Sequence, residues 1–421
     1  MLNQKKISGA KRMTKRTRRI VARTALIALI ALGWPSFILS ETSFAQGQGN
    51  GDRGQARGRR GVGAVYVLTN AREANGVAIF SREPDGSLRP RETVFTGGRG
   101  TGGLLDAQGS LILSQGNQWL FAVDALSNEV SIFAVLEGDG LRLLDRVHSG
   151  GERPISLTVS EDLLYVLNSG GSGNITAFDI GPGGRLTPLA GSSRPVSTAA
   201  AAPCPRPSDA GRTCNVAGPA QVQFGPAGGV LVVTERVTSR IVSYTVGDDG
   251  RATQAQVFQG VTDSTPFGFD IGQRGRLIVS NAFLDLPDLG AASSFTISPA
   301  DGILTPVTFP PLGNGETSSC WLVVTNNGRH AITANPLDDS LTSYTINQDG
   351  SLTLLSAEAG DLTGGDPRDM DLSDNGRFLY VLNNITATVS AFRVQGDGSL
   401  ILLALNAGDG FPSGAVGLAA F

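Results

Sequence analysis

The chain has 421 residues, of which 40% are hydrophobic and 17% charged, and its formal net charge is −3. The first 45 residues hold nine of the 34 basic groups and one of the 37 acidic groups, so residues 46–421 carry a net charge of −11. This balance argues against nucleic acid or an anionic membrane as a partner of that part. All lysines lie in the first 45 residues as well, which excludes a Schiff-base lysine from the remainder.

The N-terminal segment has the pattern of a secretory signal peptide. Nine Lys or Arg precede residue 24, residues 24–39 are almost wholly apolar, and Ser43-Phe44-Ala45 offers small residues for a signal peptidase. We expect cleavage after Ala45 and a periplasmic or extracellular protein. An uncleaved anchor is the alternative, because the apolar run is nearly long enough to span a bilayer. Residues 46–63 follow as a Gly/Gln/Arg linker with too few apolar side chains to fold, so we expect it to be disordered.

Residues 64–421 repeat one unit seven times: a β-rich run, a second run that ends in an aromatic residue, and a tight turn. A four-stranded unit repeated seven times predicts an all-β fold, a seven-bladed β-propeller. Because Gly readily takes the positive φ of a tight hairpin, Asp-Gly is a strong turn signal. The turns are Asp85-Gly86, Asp139-Gly140, Gly183-Gly184, Asp249-Gly250, Asp301-Gly302, Asp349-Gly350 and Asp397-Gly398.

The aromatic residues recur once per unit, so we interpret them as packing residues between blades. They are Phe80, Phe133, Phe178, Tyr244, Phe295, Tyr344 and Phe392. Six innermost strands are found in the repeats, and the seventh is Ala415–Phe421 at the end of the chain. We therefore expect the last strand to complete the first blade and close the ring, which removes two exposed sheet edges.

Cysteine and histidine limit the chemistry. Cys204 and Cys214 flank the longest insertion between blades and are expected to form a disulfide there. Cys320 has no evident partner and is interpreted as a small buried residue. The two histidines, His148 and His330, do not have metal-ligand or triad spacing, so we expect no zinc site, no metal, no Ser-His-Asp triad and no cofactor.

Propeller ligands usually bind over the central channel, so the residues at the ends of the inner strands are candidates. Arg99, Gln221 and Asn281 are candidates for ligand binding at these positions. The last residue of each second strand is Asn or Asp except Glu235, whose carboxylate could act as a general base. The alternative for this position is structural, because a polar side chain there would bind the backbone of the turn.

Three arginines precede inner strands, at Arg99, Arg153 and Arg368. Several guanidinium groups around one channel would bind a carboxylate or phosphate. Ion pairs between neighbouring blades, for instance with Glu152 or Asp369, explain them equally well.

The chain resembles the seven-bladed lactonase family, which includes bacterial 6-phosphogluconolactonase and the fungal carboxymuconate-lactonising enzyme. The resemblance rests on Arg377-Phe378-Leu379-Tyr380-Val381-Leu382-Asn383, Arg153-Pro154-Ile155-Ser156, Gly218-Pro219-Ala220-Gln221 and the closing Gly417-Leu418-Ala419-Ala420-Phe421. The resemblance covers residues 64–421, and within the family the chain is similar to a secreted bacterial branch. It implies a central site with Arg, His and Glu, of which Arg153 and Glu235 match; Ala220-Gln221 stand where the family has its His.

The sequence therefore leaves two functions open. The first is an exported lactone hydrolase in which Glu235 activates water while Arg153 and Arg368 bind the carboxylate and offset the developing oxyanion. The second is a binding propeller without enzymatic activity, for a protein, a glycan or a small carboxylate. In both cases we expect a monomer whose mature chain has no membrane or nucleic-acid partner.

Overall fold

The computed structural model describes residues 62–253, 255–272 and 275–421. The predicted signal peptide (1–45) and the predicted linker up to residue 61 lie outside these ranges. Strands dominate the described residues, and helix occurs as short 3₁₀ turns, among them Pro182–Gly184, Pro207–Asp209, Pro226–Gly228 and Phe283–Asp285. None of the helices in these ranges has the length and hydropathy that a membrane span requires.

Antiparallel sheets of four strands, the blades, follow one another along the chain. Blade 1 begins with β1 (Ala64–Leu68), β2 (Gly76–Arg82) and β3 (Leu88–Phe95). Blade 2 contains β4 (Leu111–Leu113), β5 (Trp119–Asp124), β6 (Glu129–Val135) and β7 (Leu141–His148). Blade 3 contains β8 (Pro154–Ser160), β9 (Leu163–Asn168), β10 (Asn174–Ile180) and β11 (Leu186–Pro188), and β12 (Arg194–Pro195) also pairs with β10.

A hairpin of β13 (Ala201–Pro203) and β14 (Thr213–Asn215) separates blade 3 from blade 4. Blade 4 contains β15 (Pro219–Phe224), β16 (Val230–Glu235), β17 (Arg240–Thr245) and β18 (Gln256–Gln259). Blade 5 contains β19 (Pro266–Gly272), β20 (Arg276–Asn281), β21 (Ala291–Ile297) and β22 (Leu304–Gly313). Blade 6 contains β23 (Trp321–Val324), β24 (His330–Asn335), β25 (Ser340–Ile346) and β26 (Leu352–Asp361). Blade 7 contains β27 (Pro367–Leu372), β28 (Phe378–Asn383), β29 (Thr388–Val394) and β30 (Leu400–Gly408).

The last strand, β31 (Val416–Ala420), closes the ring. It pairs antiparallel with β1, with Val65 opposite Ala420 and Tyr66 opposite Ala419, so it is the innermost strand of blade 1. Arg82 Nε also donates to the carbonyl of Phe421 at 2.9 Å. The prediction of a seven-bladed propeller closed by its C-terminal strand is confirmed.

The recurring aromatic rings are buried and pack between blades, as predicted. Phe80 of blade 1 lies against Gly408 of blade 7, where a Cβ atom would come within 2.8 Å of the ring. Phe392 of blade 7 lies in the same way against Gly360 of blade 6, at 2.9 Å. Glycine at these outer-strand positions therefore lets the next blade approach closely.

One turn differs from its prediction. At Asp139-Gly140 the positive φ angles belong to Gly138 (84°) and Asp139 (71°), so Gly140 does not provide the left-handed residue. The sequence Gly138-Asp139-Gly140 contains two glycines, and the turn is centred one residue earlier than the Asp-Gly pair indicates. In the unit with Asp397-Gly398, by contrast, Gly398 has a φ of 88°.

Candidate functional site

The inner strands begin, and the second strands end, at the same end of the propeller, which we call the entrance face. In blade 7, for example, Pro367 at the start of β27 pairs with Asn383 at the end of β28. The backbone just before an inner strand repeatedly takes a positive φ and is followed by proline. This occurs at Arg153, Gly218, Thr265 and Asp366. The predicted site residues at the starts of inner strands and at the ends of second strands therefore all lie at the entrance face.

A short piece of chain, residues 107–109, crosses the channel axis below the entrance face; we call it the crossing segment. The Gln108 amide exchanges two hydrogen bonds with the backbone of Leu322 in blade 6, at 2.7 and 3.0 Å. Its backbone N donates to Ala220 in blade 4 at 3.2 Å. Trp321 Nε1 donates to the carbonyl of Ala107 at 3.0 Å. The crossing segment therefore forms the floor of the entrance side and separates it from the rest of the channel.

The insertion between blades 3 and 4 folds back onto the entrance face. Cys204 and Cys214 are joined by a disulfide across the β13–β14 hairpin, and we call residues 201–215 the disulfide hairpin. Asp209 of this hairpin receives two hydrogen bonds from Arg153, at 2.8 and 3.0 Å. Their side chains are only 0% and 6% exposed, respectively, so this is a buried, bidentate ion pair.

A group of charged side chains surrounds Asp106 at the centre of the entrance face; we call it the entrance cluster. Asp106 directly precedes the crossing segment, and the other members come from the disulfide hairpin and from the ends of blades 4, 5 and 7: Arg206, Arg236, Asp285, Asp366 and Arg368. Asp106 accepts two hydrogen bonds from Arg206, at 2.6 and 2.9 Å, and lies 3.9 Å from Arg236. Burial acts to raise the pKa of Asp106, but Arg236, Arg206 and Arg368 together outweigh it and lower the pKa. This carboxylate therefore stays ionised.

Two arginines of the cluster lie over aromatic rings. The Arg236 guanidinium is 5.5 Å from the ring centre of Phe267, and that of Arg368 is 5.2 Å from Trp321. The two rings contact each other at a centroid distance of 4.8 Å. Each arginine has a buried Nε that makes no hydrogen bond within the described residues. The Nε atoms are out of reach of a ligand, but the side chains keep 24% and 17% of their surface exposed, and the ring contacts hold that exposed part in place.

A further carboxylate of the cluster lies near Arg206. Asp285 is exposed, and its Oδ1 accepts a hydrogen bond from Ser318 Oγ at 2.5 Å. Its charge acts on Arg206, whose pKa is raised first by the hydrogen bond that Arg206 donates to Asp106 and, to a smaller extent, by the charges of Asp285 and Asp366. Asp366 lies 2.9 Å from Arg368 and accepts a hydrogen bond from Asn384, also at 2.9 Å. Asp285 is therefore the acidic group of the cluster that has no arginine at hydrogen-bond distance among the described ion pairs.

The structure separates the three predicted catalytic residues. Glu235 is 0% exposed, and its carboxylate accepts hydrogen bonds from Ser197 N at 2.7 Å, from Ser197 Oγ and from Thr238 Oγ1 at 2.7 Å. These are the contacts of the structural alternative for Glu235, and its carboxylate has no exposed surface toward the entrance cluster. The Arg153 guanidinium forms an ion pair, as the alternative for that residue has it, but the partner is Asp209 and not Glu152 or Asp369. Arg368 does belong to the entrance cluster.

The predicted ligand-binding residues do not meet at one point either. Arg99 is exposed, and its backbone N–H and carbonyl bind Ser127 and Leu126 of the neighbouring loop. The Gln221 amide pairs with the backbone of Phe269 in blade 5, donating and accepting at 2.8 Å. Asn281 Nδ2 donates to Val279 O and Ser293 Oγ, both at 3.0 Å, which holds the end of its own blade. These contacts leave all three outside the entrance cluster.

Below the crossing segment the channel widens into an axial cavity of about 520 Å³. Its charged lining consists of acidic side chains, Asp270, Asp369, Asp371 and Asp374. Burial is the main cause that raises the pKa of Asp369 to about 8 and of Asp371 to about 7. Asp369 is the more enclosed of the two, since Asp371 keeps some accessible surface toward the cavity. The axial cavity thus holds protons near neutral pH, unlike the entrance cluster.

A second acidic pocket, of about 460 Å³, lies at the edge of blades 5 and 6 and is lined by Asp288, Glu316, Asp338, Glu358 and Asp361. Asp338 accepts a hydrogen bond from Thr317 N, and Asp339 accepts from the amides of Gly364 and Asp366. In the part of the chain that the structure describes, no group of three or more His, Cys, Asp or Glu residues is arranged to hold a metal ion. We assign these acids to loop structure.

The histidines and the free cysteine are not part of the entrance cluster. His148 ends the outer strand β7, and His330 begins β24 at the opposite end of the blade, where burial lowers its pKa. Cys320 is buried below the entrance cluster, and burial raises the pKa of its thiol to about 12. A thiol with so high a pKa is a poor nucleophile.

Sequence reasoning missed Arg206, Arg236 and Asp285 as a group. Arg236 was visible one residue after Glu235, and Arg206 inside the stretch between the cysteines. The one available signal was the charge of these residues in loops that the repeat places at the entrance face.

Comparison with known proteins agrees with this fold. The family model described as "Lactonase, 7-bladed beta-propeller" matches residues 293–408. No curated protein matches the sequence. Among solved structures, the chain is similar to a protein from Lactobacillus plantarum, with 17% identity, a TM-score of 0.66, and coverage of 85% of this chain and 99% of that one.

Two further solved structures are similar, and at this identity all three show the fold alone. One is from Bacteroides uniformis and carries the provisional description of a 6-phosphogluconolactonase (17% identity, TM-score 0.65, coverage 85% and 99%). The other is a periplasmic gluconolactonase of Pseudomonas aeruginosa (17% identity, TM-score 0.65, coverage 85% and 98%). By its seven-bladed fold and by the family model that its residues 293–408 match, this chain is confirmed to resemble the seven-bladed β-propeller lactonases.

Proposed function

We propose that this protein hydrolyses a lactone at the entrance cluster. The observation that carries the proposal is the pair Arg236 and Arg368, which lie over Phe267 and Trp321 with part of each side chain exposed at the entrance face. Two fixed guanidinium groups are suited to bind the carbonyl oxygen of a lactone and to stabilise the oxyanion that forms on it. The resemblance to the lactonase family and the similarity in fold to the gluconolactonase of P. aeruginosa support lactone hydrolysis as the reaction class.

The reaction needs a base for water, and Asp285 is the best placed group. It would take a proton from the attacking water as the water oxygen bonds to the carbonyl carbon. The ring C–O bond then breaks, and protonated Asp285 gives the proton to the leaving alkoxide. The product is a hydroxy acid; its carboxyl group releases its proton to solvent, and the resulting carboxylate would pair with Arg236 and Arg368. Ser318, which donates to Asp285 Oδ1, would hold the base in position.

We also propose that the protein is exported and acts outside the cytoplasm as a monomer. The basic and apolar segments before Ala45 support export, and the periplasmic location of the gluconolactonase from P. aeruginosa is consistent with it. N-terminal sequencing of the protein from a cell fraction would test this directly. A mature chain that begins at Gln46 is expected, and an intact N-terminus in the membrane fraction would favour the anchor instead.

The catalytic test uses the purified protein and a panel of γ- and δ-lactones. We expect Arg236→Ala and Arg368→Ala each to lower kcat by about 10²–10³, the usual effect of losing an oxyanion donor. Asp285→Asn should lower kcat with a small effect on KM, because the base acts only in the reaction step. Arg142→Ala, an exposed arginine on outer strand β7, is the control. Turnover that all three variants leave intact would refute the site.

Binding without catalysis remains the second candidate function. It is favoured by a specific observation: Asp106 and Asp366, the other acids of the cluster, are already engaged by arginines. Neither histidine is in the cluster. In this case the protein would bind small carboxylates, and Arg236→Ala or Arg368→Ala would abolish binding in calorimetry while no lactone is turned over.

A further inference from the structure

The two halves of the entrance face differ in their loops between the second and third strands. In blades 1–3 these loops contact the disulfide hairpin. Arg72 Nη1 donates to the carbonyl of Ser208 at 2.9 Å, and Gly171 N to that of Thr213 at 3.0 Å. In blades 4–7 the corresponding loops carry exposed apolar side chains instead. We call these the apolar rim: Val237, Leu284, Leu286, Leu289, Leu337 and Ile385.

The apolar rim adjoins the entrance cluster residue by residue. Val237, which is 68% exposed, directly follows Arg236, and Leu284 and Leu286 flank Asp285. Ile385, which is 67% exposed, follows Asn384, whose amide donates to Asp366 at 2.9 Å. Exposed apolar side chains are thus next in sequence to three residues at the entrance cluster, Arg236, Asp285 and Asn384.

We propose that the substrate is a lactone that carries an apolar chain, and that this chain lies on the apolar rim. The inference rests on the proposed function and adds the substrate class to it. Isolated exposed apolar residues are common on protein surfaces. Here they recur on the corresponding loop of four successive blades, beside a charged site, and on the half of the face that the disulfide hairpin leaves open. A sugar lactone, which is polar over most of its surface, would leave these side chains in water.

The experiment measures kcat/KM on γ-lactones of increasing chain length, from γ-butyrolactone through γ-octalactone to γ-dodecalactone, and on glucono-δ-lactone. Full burial of a methylene is worth about a fourfold gain, so a chain lying on an open surface should gain about twofold per methylene. The double variant Val237→Asp/Ile385→Asp should flatten this dependence and keep activity on γ-butyrolactone within about twofold. Ile401→Asp is the control, because Ile401 is an exposed apolar residue on the outer strand β30 of blade 7.

The outcomes separate this inference from the proposed function. A flat dependence on chain length in the wild type, or a preference for glucono-δ-lactone, overturns the apolar chain even if Arg236→Ala abolishes turnover. If no lactone is hydrolysed, the affinity of straight-chain carboxylates from C4 to C12 is measured by calorimetry. Affinity that rises with chain length and loses that rise in Val237→Asp/Ile385→Asp supports the rim, and affinity independent of length overturns it.

The rim could instead be covered by a second copy of the chain. Sedimentation of the wild type and of Val237→Asp/Ile385→Asp distinguishes this case. A dimer that the double variant dissociates would overturn the proposal, whereas a monomer in both supports a small ligand as the occupant of the rim.

Discussion

The entrance cluster and the axial cavity lie along one channel, on opposite sides of the crossing segment, and they hold charge in opposite ways. Above the segment, Asp106, Asp209 and Asp366 each have an arginine within 3 Å. Below it, the charged residues that line the cavity are all acidic. In a low-dielectric site a carboxylate keeps its charge when a cation neutralises it, and takes up a proton when none does.

This difference in charge indicates where an anionic ligand can bind. The entrance cluster has guanidinium donors to spare, because Arg236 and Arg368 serve acids that other groups also satisfy. The axial cavity would repel a carboxylate once Asp371 and Asp369 lose their protons. Of the two regions, only the entrance side therefore combines access from solvent with positively charged side chains.

The largest effect is expected from Arg153→Ala. It removes the ion-pair partner of the buried Asp209 carboxylate and leaves only the more distant charge of Arg212. Breaking a buried pair by removing one partner typically destabilises by about 3–5 kcal/mol. Urea unfolding at pH 7 measures this, with Arg142→Ala as the control. The double variant Arg153→Ala/Asp209→Asn, which removes the unpaired charge as well, should regain part of this stability; a double variant as unstable as Arg153→Ala would contradict the charge argument.

A somewhat smaller effect is expected from Gln108→Ala, which removes a side chain that holds the crossing segment between the two regions. It leaves the buried N–H and carbonyl of Leu322 without partners, and we expect a loss of about 2–3 kcal/mol. Equilibrium unfolding in urea measures it. Gln115→Ala, an exposed glutamine at the other end of the same blade, is the control. A loss no larger than that of the control would show that the crossing segment is held by other contacts.

The lone acids of the axial cavity predict how stability depends on pH. The folded-state pKa of Asp369 (about 8) and that of Asp371 (about 7) lie above the value in the unfolded chain. At pH values between the unfolded and the folded pKa, the folded state therefore binds more protons than the unfolded state. Stability from these groups is therefore full below pH 4 and falls as the pH rises to about 8. Each unit of pKa difference is worth about 1.4 kcal/mol, so we expect a loss of more than about 1 kcal/mol from pH 5 to pH 8.

Asp369→Asn tests this pH dependence, since it removes one ionisable group and keeps the shape. Asp371 and Asp270, whose pKa values burial also raises, still face the cavity, so the variant should reduce the slope of stability against pH without abolishing it. Asp248→Asn, at an exposed turn of blade 4 that does not line the cavity, is the control and should leave the slope unchanged. Urea unfolding at several pH values is the measurement. A variant slope equal to that of the wild type would show that Asp369 does not hold the proton.

The sequence predicted the fold in detail because its signals are local. Each of these signals spans only a few residues. The Asp-Gly turns and the aromatic ends of the third strands recur in successive units, and the run Ala415–Phe421 supplies the strand that the first unit lacks. The entrance cluster depends instead on long-range contacts that no local pattern shows. Arg206 and Asp209 reach Asp106 and Arg153, which are 100 and 56 residues away. The same limit explains Glu235, whose partner Ser197 lies in another blade's connection, 38 residues away.

The smallest effect is expected from Arg206→Ala, which removes the second ion pair of the disulfide hairpin. Its pair with Asp106 has the same bidentate geometry as that of Arg153 with Asp209, but the Arg206 side chain is 41% exposed. Arg236, 3.9 Å from Asp106, would still compensate that carboxylate, so the loss should be about 1 kcal/mol or less. Comparing Arg206→Ala with Arg153→Ala by urea unfolding thus isolates burial as the variable. Equal losses would mean that docking of the hairpin, and not the burial of each pair, sets the stability of the entrance face.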